Sequence, residues 1–317
     1  MSMNRYPPTK VREILRREVN FGCPVEDCGS PYLQYHHFDP PWNERKHHDP
    51  KGMIALCRVH HPEADNKAWT IEQLRAMKNQ PYIGTELIGR FNWLRQKLVV
   101  MAGAIVQNPK IILQIRDENV VWMERDANGY YRLNMLVRDS VGNVVVEITN
   151  NDWVVSKDEV VDVICPPSGK ELSISSKDYK TFLAIRFDDV TIDEFRKRLS
   201  QLWDSTVTMV QEGRERDARQ MENMLIKSGI SAEKARIQAQ PLYADDRQEN
   251  PTERREKYLS EIVSSIGNPK RVTTCTLNTS LEYPKAKIQI KDGIFCSAEI
   301  RMYRGFISDA ATVYSFS

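Results

Sequence analysis

The sequence predicts an α+β protein: a small metal-organised N-terminal domain, an antiparallel β-rich domain, and a C-terminal region that is first helical and then β. Three observations lead to this prediction. All six histidines of the 317-residue chain lie between residues 36 and 61, with three of the six cysteines in or beside that window. Apolar and polar residues alternate over much of 108–190, as in half-buried strands. Residues 191–266 then form long charged stretches of helical character.

Short helices are predicted on both sides of the histidine-rich window. Residues 9–20 carry their apolar side chains on one helical stripe. A second helix is predicted over 70–79, because Thr70 and Gln73 have the spacing of a capping box and Pro81 follows. A third helix is predicted over about 85–105, so that residues 86–107 form a connecting helix. Its apolar face would consist of Leu87, Phe91, Leu94 and Leu98.

The remainder of the chain is predicted to begin with strands. The predicted strands of the β domain are 111–116, 120–125, 130–138, 144–149, 160–165 and 182–187. Asn128-Gly129 marks a hairpin turn between two of them. Helices follow over 191–266, with Thr191 and Asp193 as candidate caps. Strands return at about 271–277, 285–291, 294–303 and 306–314, with a turn at Asp292-Gly293. The predicted domains are 1–85, 108–190 and 191–317.

The composition excludes several classes of protein. Hydrophobic residues make up 41% of the chain, so a fully disordered or fibrous protein is excluded, and six cysteines are too few for a disulfide scaffold. The longest apolar run, residues 98–106, is too short to span a bilayer, and the first residues lack the pattern of a signal peptide. These features favour a cytoplasmic protein without membrane association. Phosphate-binding, dinucleotide-binding and nucleophile-elbow motifs are also absent from the sequence.

The net charge of +2 conceals an uneven distribution. Residues 1–104 contain 15 basic and 11 acidic side chains, whereas residues 105–190 contain 10 basic and 14 acidic ones. The basic segment therefore contains every histidine, and it is the part of the chain best suited to a polyanion. Candidate phosphate contacts in this segment are Arg12, Arg16, Arg17, Arg45, Lys46, Lys51 and Arg58.

Two pairs of residues in the basic segment have the spacing of metal ligands. Cys23 and Cys28 are separated by four residues, and Cys57 and His60 by two. Three thiolates and one imidazole satisfy a tetrahedral Zn²⁺ ion and form a closed structural site. His36, His37, His61 and Asp39 remain beside it and are candidates for a second divalent ion or for proton transfer.

At these residues the chain resembles the HNH endonucleases, which have the ββα-metal fold. The resemblance is carried by His36-His37-Phe38-Asp39-Pro40 and by Ile54-Ala55-Leu56-Cys57 with His60-His61. It covers about residues 20–78, roughly a fifth of the chain. It implies a small ββα-metal nuclease domain at residues 1–85 that cleaves DNA.

The resemblance also implies a role for each residue. His37 would be the general base, and His36 and His61 would hold one catalytic Mg²⁺ or Mn²⁺ ion, assisted by Asp39. Cys23, Cys28, Cys57 and His60 would hold the structural zinc. The whole protein would be a bacterial restriction or phage-defence effector, a step that is analogy alone.

Two departures from the family pattern leave alternatives open. Gly52 stands where the family has an asparagine, so its orienting task would pass to His48, Asp49 or Asn43. His60 and His61 are both close enough to Cys57 along the chain to be the zinc ligand. Because of Gly52, a non-catalytic zinc-organised nucleic-acid-binding protein is the alternative hypothesis. A homo-oligomer, a protein partner or a small activating ligand bound through residues 108–317 also remains open.

Overall fold

The computed structural model confirms the α+β class. It describes residues 3–102, 105–107, 110–115, 118–139, 141–177, 182–243, 250–283, 286–291, 294–295, 307–308 and 315–316. The predicted turn at Asp292-Gly293, Cys296 and most of the last two predicted strands lie outside these residues.

The histidine-rich window, residues 36–61, lies in a hairpin flanked by helices. Its elements are α1 (Thr9–Glu18), β1 (Leu33–His37), β2 (Met53–Cys57), α2 (His60–Asp65) and α3 (Ile71–Asn79). The strands are antiparallel, and His36 pairs with Ile54. The capping box of Thr70 and Gln73 is formed as predicted. A small core, which includes Leu15, Ile54 and Leu74, joins the hairpin to the helices.

Two β-sheets share the second hydrophobic core. The seven-stranded sheet has the order β18-β6-β7-β8-β9-β10-β3. Its strands are β3 (Glu86–Arg90), β6 (Ile111–Ile115), β7 (Glu118–Arg125), β8 (Tyr131–Arg138), β9 (Val144–Thr149), β10 (Asp152–Ser156) and β18 (Ser315–Phe316). Strands β6 to β10 form a meander in which each strand pairs antiparallel with the next.

The other sheet has the order β11-β12-β13-β14-β4-β5-β17, with β15 and β16 added at β14. Its strands are β4 (Val99–Met101), β5 (Ile105–Gln107), β11 (Val160–Ile164), β12 (Glu171–Ser176), β13 (Phe182–Thr191), β14 (Arg271–Tyr283), β15 (Ala286–Lys291), β16 (Ile294–Phe295) and β17 (Ile307–Ser308). Since β4 pairs with β14 in parallel, strands that are distant in sequence complete one sheet.

The predicted connecting helix over 86–107 is wrong, because strands β3, β4 and β5 occupy this segment. Leu87 is buried as expected, but it pairs with Val155 across the ladder between β3 and β10. A Cβ at Gly89 would lie 2.1 Å from the Trp153 ring, so this strand packs closely against a core tryptophan. Tertiary pairing therefore overrides the helical spacing of the apolar residues.

The chain divides into two compact units, residues Met1–Asp189 with Thr273–Ser317, and residues Val190–Val272. The predicted domains 1–85 and 108–190 thus lie in the same unit. The predicted region 191–317 is divided between the units, because β14 and the later strands complete a sheet of the first one.

The second unit is helical. It contains α4 (Ile192–Lys227), α5 (Ala232–Tyr243) and α6 (Pro251–Ser265). Thr191 caps α4 through a capping box with Glu194. Among helices in the described ranges, none combines the length and the apolar character needed to cross a bilayer.

A buried ion pair joins α1 to the β-sheet region within the first unit. The Arg16 guanidinium donates to both carboxylate oxygens of Asp162, at 2.9 and 2.6 Å, and also to the hydroxyl of Tyr35 at 2.9 Å. Arg16 is only 3% exposed, so it is not available as a phosphate contact. Tyr35 immediately precedes His36, so this network holds the hairpin of β1 and β2 against β11.

We expect Asp162→Ala to lower the free energy of unfolding by about 3 kcal/mol, because it leaves the Arg16 guanidinium buried without its counter-ion. Urea unfolding of the metal-loaded full chain measures this change. Glu13→Ala, which removes the exposed partner of Arg17, is the control and should change the free energy by less than about 0.5 kcal/mol. Equal effects of the two substitutions would contradict the structural role of Arg16.

Candidate metal centre

Three thiols and one imidazole converge between the loop of residues 23–28, which we call the knuckle, the end of β2 and the start of α2. The ligand atoms of Cys23, Cys28, Cys57 and His60 all lie within 4.8 Å of one another. Nδ1 of His60 is 3.4 Å from Sγ of Cys23 and 3.3 Å from Sγ of Cys57, and the sulfurs of Cys28 and Cys57 are 3.8 Å apart. The sequence analysis grouped the three cysteines with His60 or His61, and the structure places His60 with them.

These distances fit a tetrahedral metal ion. A zinc ion with Zn–S bonds of about 2.3 Å places two sulfurs about 3.8 Å apart, which is the spacing of Cys28 and Cys57. Burial raises the pKa of the Cys23 and Cys28 thiols, which favours their neutral form without a cation. A bound cation reverses this preference because it binds the thiolate. The cluster can therefore hold a metal ion such as zinc.

The geometry distinguishes His60 from His61. Both begin α2, but the ring of His60 points to the sulfurs, whereas Nδ1 of His61 lies 3.3 Å from a carboxylate oxygen of Asp65. Consecutive helical residues are rotated by about 100°, so the two rings leave the helix in different directions. His60 thus belongs to the cysteine cluster and His61 to a second one.

The second cluster consists of His36, His61 and Asp65. Nδ1 of His36 lies 3.2 Å from Oδ1 of Asp65, and the His36 and His61 rings are perpendicular with centroids 5.3 Å apart. The sequence identified both histidines but not Asp65. The missed signal was the spacing of His61 and Asp65, four residues apart on a helix, which places them on the same face.

The donor atoms of this second cluster suit a divalent cation. Nδ1 of His36 is buried and makes no hydrogen bond in the described part of the chain, although Asp65 is close. Burial lowers the pKa of His36 to about 4, so the ring is neutral at physiological pH and keeps a lone pair for a cation. Two imidazoles and a carboxylate are common ligands of divalent metals.

His37 points away from this cluster, as expected for adjacent residues of a strand. It is 2% exposed and packs against Trp42, His47 and His48, with ring centroids 4.7, 5.2 and 5.7 Å away. Neither of its ring nitrogens has a hydrogen-bond partner among the described residues. Burial, reinforced by His47, lowers the pKa of His37 to about 4, so the ring is a neutral acceptor.

One cavity of about 740 Å³ connects these groups. Its walls include His36, His37 and Asp65, together with Asp39, Trp42 and Trp69. Ligand pockets have volumes of this order. A molecule in this cavity can therefore contact the second cluster and His37 at the same time.

Gly52 has a structural explanation. A Cβ at this position would lie 1.9 Å from the carbonyl oxygen of Asp39, so the loop after β1 leaves no room for an asparagine. The imidazole of His47 instead links two parts of the loop between β1 and β2: its Nδ1 accepts from the backbone N–H of Asp49 at 3.1 Å, and its Nε2 lies 2.9 Å from the carbonyl oxygen of Pro40. The predicted substitutes were His48, Asp49 and Asn43; the bridging ring is that of His47.

Asp39 lies on the cavity wall, and its carboxylate pairs with the Arg75 guanidinium. It belongs to neither of the two clusters found among the described residues. The carboxylate that lies beside His36 and His61 is therefore that of Asp65, whereas the sequence had suggested Asp39.

Comparisons of the chain with protein-family models, with curated proteins and with solved structures gave no match. The functional assignment therefore depends on the chemistry of the site itself.

We expect Cys57→Ser to abolish binding of the tightly held metal ion, because one of four ligands is lost and the hairpin has little core of its own. Elemental analysis of purified protein should give about one equivalent in the unaltered chain and far less in the variant. Cys275→Ser, which alters a buried cysteine outside the cluster, should keep the full equivalent. A full equivalent in Cys57→Ser would contradict the assigned ligands.

We expect Asp65→Asn to weaken binding of Mn²⁺ at least about tenfold, because a charged ligand becomes neutral. Titration of the full chain with Mn²⁺, followed by electron paramagnetic resonance, measures this affinity. Asp39→Asn is the matched substitution and should change it less than about twofold, since Asp39 lies outside the cluster. The reverse order of effects would assign the ligand role to Asp39.

Proposed function

We propose that this chain is a metal-dependent endonuclease of the HNH type that hydrolyses phosphodiester bonds of DNA. The observation that carries the proposal is the arrangement around the β1–β2 hairpin. A closed Cys₃His cluster adjoins an open His36–His61–Asp65 cluster, and the buried His37, with no hydrogen-bond partner among the described residues, shares a cavity with the open cluster.

The two clusters suit different ions. Three sulfurs and one nitrogen favour zinc in a structural role, because no position is left for water or substrate. Two imidazoles and a carboxylate leave positions free for water and phosphate, and we assign Mg²⁺ or Mn²⁺ to them. Such an ion, when bound, neutralises charge on the phosphate and on the leaving oxygen.

The protein groups supply the proton chemistry. The neutral ring of His37 accepts a proton from a water molecule in the cavity, and the oxygen of that water attacks phosphorus. The bond from phosphorus to the leaving oxygen breaks, and that oxygen takes up a proton from solvent. His47 and Trp42 pack against the His37 ring and keep it oriented toward the cavity.

The surroundings of the cavity support a nucleic-acid substrate. Lys67 and Arg5 lie on its wall, and Trp42 and Trp69 offer aromatic rings for contact with bases or sugars. Arg45, Lys46 and Lys51 are exposed on the same hairpin segment and can bind phosphates.

We assign a regulatory or assembly role to the rest of the chain, as in a bacterial restriction or phage-defence effector. The support is architectural: the nuclease-like hairpin is joined to β11 through Arg16 and Asp162, so a ligand of the β-sheet region has a physical route to the residue that precedes His36. A second copy, a protein partner and a small ligand are the candidates for that role.

A non-catalytic DNA-binding protein is the competing proposal. It is favoured by Arg5, whose guanidinium lies 3.5 Å from Oδ1 of Asp65 and competes with a cation for that carboxylate. This protein would contain one zinc ion, bind no second metal, and bind DNA in a salt-sensitive manner without cleaving it.

We expect the purified full chain with Mg²⁺ or Mn²⁺ to nick or linearise plasmid DNA, and His37→Ala to lower the rate at least about 100-fold through loss of the general base. Gel electrophoresis of plasmid topology measures both rates. Glu13→Ala, which alters an exposed residue of α1 outside both clusters and outside the cavity wall, is the control. It should retain most of the activity.

The same plasmid assay is repeated with candidate activators, including an extract of phage-infected cells. If the plasmid stays intact under every condition and the chain binds a single zinc ion, the nuclease proposal is contradicted and the DNA-binding proposal is favoured.

A further inference from the structure

A second cavity, of about 670 Å³, borders β1. The N-terminal segment and α1 form one wall with Tyr6 and Arg12, β1 contributes Gln34 and Tyr35, and the residues after β11 form the opposite wall. Its volume is sufficient for a nucleotide.

The groups in this cavity have the chemistry of a nucleotide site. Tyr6 is 59% exposed, and its ring meets the Tyr35 ring edge to face at 6.3 Å. The Arg12 guanidinium lies 4.6 Å from the Tyr6 ring centre and donates to the Tyr6 hydroxyl at 2.8 Å. Nε of Arg12 is buried without a hydrogen-bond partner among the described residues. An exposed aromatic ring beside a guanidinium suits a base and its phosphate.

The charge of the cavity favours an anion with hydrogen-bonding edges. Arg12 and Arg5, the latter also 3.5 Å from a carboxylate oxygen of Asp65, contribute positive charge against one carboxylate from Glu171, while Arg16 is neutralised by Asp162. Gln34 adds a side-chain amide, which can donate to and accept from the edge of a base.

The two cavities meet at the open metal cluster. His61 lines the second cavity and is also a member of the His36–His61–Asp65 cluster, and Arg5 lines both cavities. A strand with its phosphate at this cluster can therefore extend into both cavities.

We infer that the second cavity is a subsite for one unpaired nucleotide of the substrate strand, adjacent to the scissile phosphate, with its base on Tyr6 and its phosphate at Arg12. This inference rests on the proposed nuclease function. The base must be unpaired, because stacking on a ring inside a cavity requires it to leave the duplex. The subsite therefore predicts preference for single-stranded or locally opened DNA.

The test measures fluorescence anisotropy of a labelled short single-stranded DNA with the zinc-loaded full chain and no added Mg²⁺ or Mn²⁺. We expect Tyr6→Ala to weaken binding about tenfold, and Tyr6→Phe to restore it to within about threefold because the ring is kept. Lys10→Ala removes an exposed charge of α1 outside the cavity and should weaken binding less than about threefold. Thermal unfolding of each variant verifies that it is folded.

A photoreactive iodinated pyrimidine in the same DNA locates the subsite. We expect cross-linking to Tyr6 or Tyr35 from one position next to the cleaved bond, mapped by mass spectrometry. Equal binding by Tyr6→Ala and Tyr6→Phe, or cross-links elsewhere only, would overturn the inference while leaving cleavage by the unaltered chain intact. The inference would also be overturned if Tyr6→Ala weakened binding of a free nucleoside monophosphate but did not weaken binding of the single-stranded DNA. Single-strand binding that depends on Tyr6 without cleavage under any condition would instead overturn the nuclease proposal.

Discussion

The convergence of three sulfurs and one imidazole nitrogen is the constraint on which the rest of the site depends. The 23–28 knuckle, the end of β2 and the start of α2 each contribute ligands to one point. The hairpin and its helices bury only a small core, so a metal ion bound in this cluster would supply much of the free energy that holds them together.

This convergence also sets the direction of α2. Because His60 is directed to the sulfurs, the next residue, His61, points to another side of the helix, and Asp65 lies one turn further along that side. His36 on β1 faces the same place. The structural cluster thus determines where the open cluster forms, which explains how so few residues position two groups of metal ligands.

The residues with metal-binding chemistry could be recognised from the sequence because their types are rare and their spacing is short. Cys23, Cys28, Cys57 and the histidines needed no tertiary information to be selected. Asp65 was missed because acidic residues are common on helix surfaces and only the position of His36 distinguishes this one. Similarly, the close approach of Asp39 that requires Gly52, and the bridging role of His47, depend on how the loop between β1 and β2 folds back on itself, which no spacing in the sequence specifies.

The sequence by itself determined the α+β class, the strand segments of β6 to β9, the capped helices at Thr70 and Thr191, and the three cysteines of the Cys₃His cluster, since these follow from local periodicity, capping and spacing. Only the tertiary structure decided that residues 86–107 form strands and that β14 completes a sheet begun much earlier. It also decided that His60 and His61 serve different clusters. Strand pairing and ligand direction depend on partners far along the chain, and their geometry is fixed only when those partners meet.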